Sequence, residues 1–406
     1  MMRRTFLTSA LDMPEIMSYI YSKSWKLQFS ASSSIIIIED YYLQTFLHSL
    51  WLCLRKGHNM QTNTTRDKTI DFIKGILILF VILGHTTLGL TDMYSFDDTM
   101  YGIANVIYSF HMPCFIAVSG FLYSEYVGNA SQGIFSRIGH KAFNILLPYV
   151  MISVIYWIIK FALSNLIREP VAVSSLISIP WKPIEFLWYL YALFLIYCVA
   201  YMADYVFARL LPHFNYKMEL LFVLFLIIAL TCYGSFHYEG FNYIAGFQMY
   251  FYLGCLIKKW LDKLDNRYAV LSLSVMSVLV EVSDIVLRDD MSSNPIFSSL
   301  FERLTACIVT VFIFAVSYFL SGYCDFPKWL QTIGRDSMPF YAMNVIFVGG
   351  IRIILNRAGI TNMVLQCICG FAGCTAICWI LYECIIKKIR LIDFIFYPCK
   401  QLHIRK

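Results

Sequence analysis

Four ionisable side chains in two neighbouring apolar stretches carry the chemistry open to this sequence. Asp71, Lys74 and His85 lie in IDFIKGILILFVILGH (70–85), and His111 lies in SFHMPCFIAVSGFLY (109–123). A neutral imidazole takes up and returns a proton near pH 7, so two on consecutive helices suit general acid–base catalysis. Lys74 and His85 are 11 residues apart, which on a helix is three turns plus ~20°. Both then share one face, ~16 Å apart along the axis. The plainer reading makes Lys74 an anchoring side chain, i,i+3 to Asp71, and His85 a packed histidine bonded to another helix. In the second stretch, Pro113 cannot donate to the Ser109 carbonyl, which predicts a kink and a spare acceptor. Ser119-Gly120 suits close approach of a neighbouring helix better than nucleophilic catalysis.

Such residues need a scaffold, and composition names it. The 406 residues are 59% hydrophobic and 14% charged, with a mean hydropathy of +0.64. Soluble domains carry about 25% charged residues, so a soluble globule is excluded and an all-α polytopic membrane protein is expected. The net charge of +6 is not a nucleic-acid signal. The 13 cysteines form no CxxC pair and no zinc-spaced Cys/His cluster, so they read as small apolar residues and no metal site is expected.

Segments near the ~20 residues that a bilayer requires fall at roughly 72–90, 102–123, 148–167, 184–203, 219–236, 241–257, 268–287, 299–321, 339–355 and 362–386. Ten spans with both termini cytoplasmic satisfy the positive-inside rule. Eighteen Lys and Arg then lie inside, Arg137 and Lys141 among them, against Arg168, Lys182, Arg288 and Arg357 outside. The Tyr- and Gly-rich 241–257 segment is the weakest span, kept because an odd count would export the basic tail. Residues 1–65 read as an N-terminal extension, with Met60 as an alternative start, 66–390 as the membrane domain and 391–406 as a basic cytoplasmic tail. Glu281 and Asp284 read as solvated at a helix end, and Glu302-Arg303 as a structural pair or a cavity lining.

IDFIKGILILFVILGH, FHMPCFIAVSGFLY, FLWYLY and IGRDSMPFY, in that order, resemble the integral-membrane acyltransferase family 3, most of all its fucose 4-O-acetylase-like branch. The resemblance covers about residues 66–390. It implies a bundle of ten or more membrane helices that acylates hydroxyl groups of sugars, with a cytoplasmic acyl-coenzyme A as donor. The family's basic residue, ten intervening residues and histidine fall on Lys74 and His85, so Lys stands where Arg is usual. Lys keeps the charge and loses the bidentate fork. His111 matches the branch's FHMP histidine. Arg137 sits where the family has basic residues before its third span, and with Lys141 it could hold the coenzyme's phosphates or simply be part of a positive-inside loop. Trp188 and Tyr189 match a Trp-aromatic pair, suited to stacking on a sugar or to an interfacial belt. Asn344 stands where members often have His. It can hydrogen-bond but not shuttle protons, which throws weight onto His85.

The resulting expectation is a multi-pass O-acetyltransferase of a bacterial inner membrane. It would use acyl-coenzyme A, chiefly acetyl-CoA, as co-substrate with no bound cofactor, and a glycan or glycolipid as acceptor. His85 would be the general base and His111 a charge stabiliser or relay. Asp71 and Lys74 would orient the first helix, with Lys74 also near the coenzyme. Trp188, Tyr189, Ser119 and Asn344 would line the acceptor site. The rival is a transporter or lipid-linked glycan flippase using the same His, Lys and Asp as a proton relay. Transporters often carry paired broken helices, and the second half of the chain has no counterpart to the Pro113 helix.

Overall fold

The first membrane helix begins at a side-chain cap. Asp67 Oδ1 accepts from the backbone N–H of Thr69 at 2.9 Å and of Ile70 at 3.3 Å, which satisfies donors that the helix itself leaves orphaned. The helix that follows, α1 (Lys68–Thr91), runs unbroken through His85. This computed structural model describes residues 67–91, 98–126, 133–162, 173–211, 213–264, 266–291 and 294–401. The N-terminal extension, the alternative start at Met60 and the last five residues lie outside them.

The remaining elements are α2 (Asp98–Tyr126), α3 (Ile134–Lys141), α4 (Leu147–Ala162), α5 (Val173–Ser178), α6 (Trp188–Leu210), α7 (Lys217–Cys232) and α8 (Glu239–Leu264). They continue with α9 (Arg267–Met291), α10 (Pro295–Ser321), α11 (Lys328–Arg335), α12 (Ser337–Arg357), α13 (Met363–Leu381), α14 (Arg390–Phe396) and α15 (Pro398–Gln401). The described residues contain no strand, and the protein is an all-α polytopic membrane protein. A π-turn at Ala142–Leu146 joins α3 to α4. Pro148 supplies no N–H at the start of α4, and wider winding just before it accommodates the missing bond. The expected 148–167 span is therefore realised as a longer one, Ile134–Ala162, which carries Arg137 and Lys141 on its first turns.

Among the described residues, eight helices are long and apolar enough to cross a bilayer. The other two expected spans are also helical. The 219–236 segment forms α7, of 16 residues. The 241–257 segment forms α8, of 26 residues, whose 248–257 stretch is buried throughout. A helix wrapped by protein has no need to be apolar, so hydropathy under-reads it. By contrast, α9 shows Leu271, Val278, Leu279 and Val286 on its outer face, as a lipid-facing helix does.

Small residues set the two closest helix contacts, as membrane packing requires where lipid is as apolar as Leu. A Cβ on Gly120 of α2 would lie 1.8 Å from the Phe251 carbonyl oxygen of α8, and one on Gly254 would lie 1.9 Å from that of Ala117. Ser119-Gly120 thus packs on the helix whose span signal was weakest. A Cβ on Gly334 of α11 would lie 1.7 Å from the Asp71 carbonyl oxygen and 2.5 Å from Gly75 N. IGRDSMPFY is thereby seated against the first turns of IDFIKG. Phe72 stacks on Phe326 at 3.7 Å beside this contact. Asp336, between α11 and α12, accepts from Arg335 Nε at 2.8 Å and from the Tyr382 hydroxyl at 2.6 Å.

Candidate active site

His85 and His111 meet through a tyrosine. Gly84 lets α2 close on α1, because a Cβ there would lie 3.1 Å from Ile107 and 3.2 Å from the Tyr108 ring. The Tyr108 hydroxyl then lies 3.1 Å from His85 Nδ1. The Tyr108 ring stands edge-on to His111, with centroids 4.9 Å apart and planes at 89°. His111 is buried, and its Nδ1 lies 2.6 Å from the Ile107 carbonyl oxygen. A carbonyl only accepts, so His111 Nδ1 carries hydrogen and the neutral ring keeps its lone pair on Nε2.

Phe186 stands beside His85, and Tyr341 and Tyr189 continue an aromatic chain from it. Phe186, in the turn before α6, lies 6.1 Å from the His85 ring and 5.7 Å from the ring of Tyr341 on α12. The Tyr341 hydroxyl donates to the Phe186 carbonyl, which ties α12 to this turn. Tyr189 lies 5.5 Å from Tyr341 and 5.8 Å from Phe115. Tyr108, Phe186 and Tyr341 were absent from the candidates drawn from sequence. Tyr108 carried a signal nonetheless, lying three residues before His111 and therefore on its face.

A polar and aromatic seam runs from the histidines along α2. Tyr108, His111, Phe115, Ser119 and Tyr123 follow at helical spacing and share one face, set against Tyr189, Tyr197, Tyr201 and Asp204 of α6. Ser119 Oγ bonds the Phe115 carbonyl of its own helix at 3.3 Å, and its carbonyl accepts from the Tyr197 hydroxyl at 3.3 Å. The Tyr123 hydroxyl donates to Asp204.

The seam ends in cations. Arg137 lies 3.9 Å from Asp204 and 4.3 Å above the Tyr201 ring. Lys141 Nζ stands 3.7 Å from the Tyr197 ring centroid, and Lys217 Nζ lies 2.5 Å from Asp204. Asp204 meets two cations and Lys141 adds a third on the neighbouring ring, an excess of positive charge beside partly exposed side chains. From His111 to Tyr123 is 12 residues, or ~18 Å of helix.

The other candidates lie apart. Asp71 is buried and Lys74 half-buried near the Lys68 end of α1, ~16 Å or more along the axis from His85. Trp188 and Tyr189 form no common platform, since their rings stand at 90°. Trp188 stacks on Tyr243 of α8 at 5.3 Å, and Tyr189 lies against Tyr341 and Phe115. Asn344 is fully buried and donates to the carbonyls of Phe340 at 3.2 Å and Tyr341 at 2.6 Å, leaving Oδ1 without a partner.

Glu281 and Asp284 correct their reading as solvated. Glu281 accepts from Ser109 Oγ at 2.9 Å, and Asp284 is buried. Arg303 is buried and donates to the Ala229 carbonyl of α7 at 3.1 Å, whereas Glu302 is exposed. A groove of about 500 Å³ opens between α1, α11 and α13, lined by Leu79, Trp329, Phe371 and Trp379, and contains neither histidine.

The pattern of a family described as an acyltransferase domain, acyltransferase family 3, matches residues 67–383. The chain belongs to the acyltransferase 3 family. Two curated relatives are nodulation proteins NolL. The protein from Mesorhizobium japonicum is 31% identical over 154 residues, 37% of this chain and 37% of the relative. The protein from Sinorhizobium fredii is 40% identical over 88 residues, 20% of this chain and 22% of the relative. The matches thus span well under half the length of either relative. The acyltransferase 3 match takes in every residue of the seam and both histidines.

Proposed function

We propose that this protein is an O-acetyltransferase of a bacterial inner membrane. It moves an acetyl group from acetyl-coenzyme A to a hydroxyl of a sugar in a surface glycan or its precursor. The observation that carries this reading is the seam in an acyltransferase 3 chain, with two imidazoles at one end and a cation cluster ~18 Å away. Arg137, Lys141 and Lys217 supply charge for the coenzyme's phosphates. The pantetheine arm would lie along the hydroxyl-rich seam and bring the thioester toward His85.

His85 Nε2 takes the proton of the acceptor hydroxyl as its oxygen attacks the thioester carbon. The carbon–sulfur bond breaks, the thiolate leaves with the electron pair, and the imidazolium returns the proton to it. The products are the ester and the free thiol. The thioester is already activated, so positioning and one base suffice. Asp71 and Lys74 keep α1 seated on α11, and Tyr189 lines the acceptor side.

The test is purified protein in lipid nanodiscs with radiolabelled acetyl-coenzyme A and a panel of glycans. The parent should label a glycan and release coenzyme A, and His85→Ala should lose at least about 100-fold of that rate. Folded protein that leaves the thioester intact with every acceptor would favour transport instead. A His85→Ala rate near the parent's would remove the histidine from the mechanism.

A further inference from the structure

We propose that Tyr108 is a positioning residue that selects the reactive tautomer of His85. The inference rests on the reading of His85 as general base, and it names the group that makes this histidine a base at the correct nitrogen.

The two histidines are held differently. His111 Nδ1 is 2.6 Å from a backbone carbonyl, which can only accept, so its tautomer is set by the main chain. His85 Nδ1 lies 3.1 Å from a phenol, which can donate or accept. The direction of that bond decides the chemistry. A phenol donating to Nδ1 leaves hydrogen on Nε2, and the ring cannot take a proton there. A phenol accepting from Nδ1–H leaves the Nε2 lone pair free for the acceptor hydroxyl, and it still accepts once the ring is an imidazolium. A base acting through Nε2 therefore requires Tyr108 as acceptor.

The fold holds that phenol in place on three sides. Gly84 brings the Tyr108 ring to within 3.2 Å of where a Cβ would stand. The edge of His111 meets the ring at 4.9 Å. The His85 ring itself stands at 83° to it, with centroids 6.2 Å apart. The Tyr108 ring is 37% exposed on its remaining side, so Gly84 and the two imidazoles are what set its approach to Nδ1. In sequence, Tyr108 and His111 are i,i+3, so one face of α2 presents both the orienting phenol and the second imidazole.

Tyr108→Phe keeps the ring and removes the oxygen. Its kcat should fall about 10- to 100-fold, the scale of one hydrogen bond to a group that becomes charged. The KM for acetyl-coenzyme A should stay within about twofold, because the cation cluster is untouched. A series with tyrosine, 3-fluorotyrosine and 3,5-difluorotyrosine at position 108, assayed at a pH where all three phenols stay protonated, keeps both ring and hydroxyl while making the oxygen a progressively weaker acceptor. The kcat should fall stepwise along it. An unchanged kcat in Tyr108→Phe would overturn the proposal. If Tyr108→Phe loses its fold, the fluorinated series decides, and a flat or rising kcat overturns the proposal. A parent enzyme that transfers no acetyl group at all would instead indict the reading of the reaction.

Discussion

Substituting Gly254 by Ala tests whether α8 sets the position of the helix that carries His111. The new Cβ would stand 1.9 Å from the Ala117 carbonyl oxygen, 2.7 Å from its carbon and 2.8 Å from Phe121 N. Real Cβ atoms essentially never come within 3.0 Å, so α8 must retreat from α2 by about 1.1 Å. All three obstructing atoms are backbone, and no rotamer change relieves them. Overpacking of this kind costs about 1–3 kcal/mol, which outweighs the helix propensity of up to about 1 kcal/mol that Ala gains over Gly. The same shift moves α2 two turns from His111, and a misplacement of ~1 Å near reacting groups costs about 100-fold in rate. Thermal unfolding in detergent, together with the transfer assay, reads both effects. Gly349→Ala in α12 is the control, because a Cβ there meets nothing within 4 Å and should be neutral or mildly stabilising. Equal midpoints and rates for the two variants would refute the close-contact argument.

At the cation end, Arg137→Ala and Lys141→Ala should each raise the KM for acetyl-coenzyme A about tenfold while leaving kcat near the parent value, since a charge-assisted phosphate contact is worth roughly 1.5–3 kcal/mol. Steady-state kinetics at two salt concentrations would check this, and a fall in kcat alone would exclude a role in donor binding. Asp67→Ala removes the cap of α1 and the acceptor of the Tyr318 hydroxyl. It should cost about 0.5–2 kcal/mol of stability, read as a lower thermal midpoint, and an unchanged midpoint would show that water replaces both bonds.

The parts of the fold legible in sequence were those with a local cause. The charge at the head of α1, the helical run to His85 and the histidine of α2 could be read from apolar length and ionisable residues alone. The value of Ser119-Gly120 as a packing site was also local, but its partner was not. α8 is tyrosine-rich because protein surrounds it, so its hydropathy resembles that of a poor span. The spacing of Tyr108 to His111 puts the two on one face of α2, but its contact with His85 depends on the crossing of α1 and α2 at Gly84, which that spacing does not reveal. Glu281 was misread for a related reason. Hydropathy places an acid near a helix end in water, whereas Ser109 of α2 meets this one inside the bundle. The aromatic pair Trp188-Tyr189 was read as one surface, but adjacent residues on a helix point ~100° apart, and the two rings serve different neighbours.

If the proposed reaction holds, the geometry also bears on the path from donor to base. Spacing alone draws that path along α1, with Lys74 at one end and His85 at the other. The first turns of α1, however, lie backbone to backbone on α11, where Gly334 leaves no space for even a methyl group beside Asp71 and Gly75. Phe72 stacked on Phe326 closes the same region. A flexible pantetheine arm needs hydrogen-bonding partners along its length, and the groove between α1, α11 and α13 is lined mostly by apolar and aromatic side chains. The seam between α2 and α6 supplies such partners: the buried hydroxyls of Tyr123, Tyr197 and Tyr189 follow one another between the cations and the histidines. Its length of ~18 Å is close to the ~16 Å that separates Lys74 from His85 on α1. On the proposed reaction, Lys74 would act on the seating of α1, and the charge that meets the donor would belong to Arg137, Lys141 and Lys217.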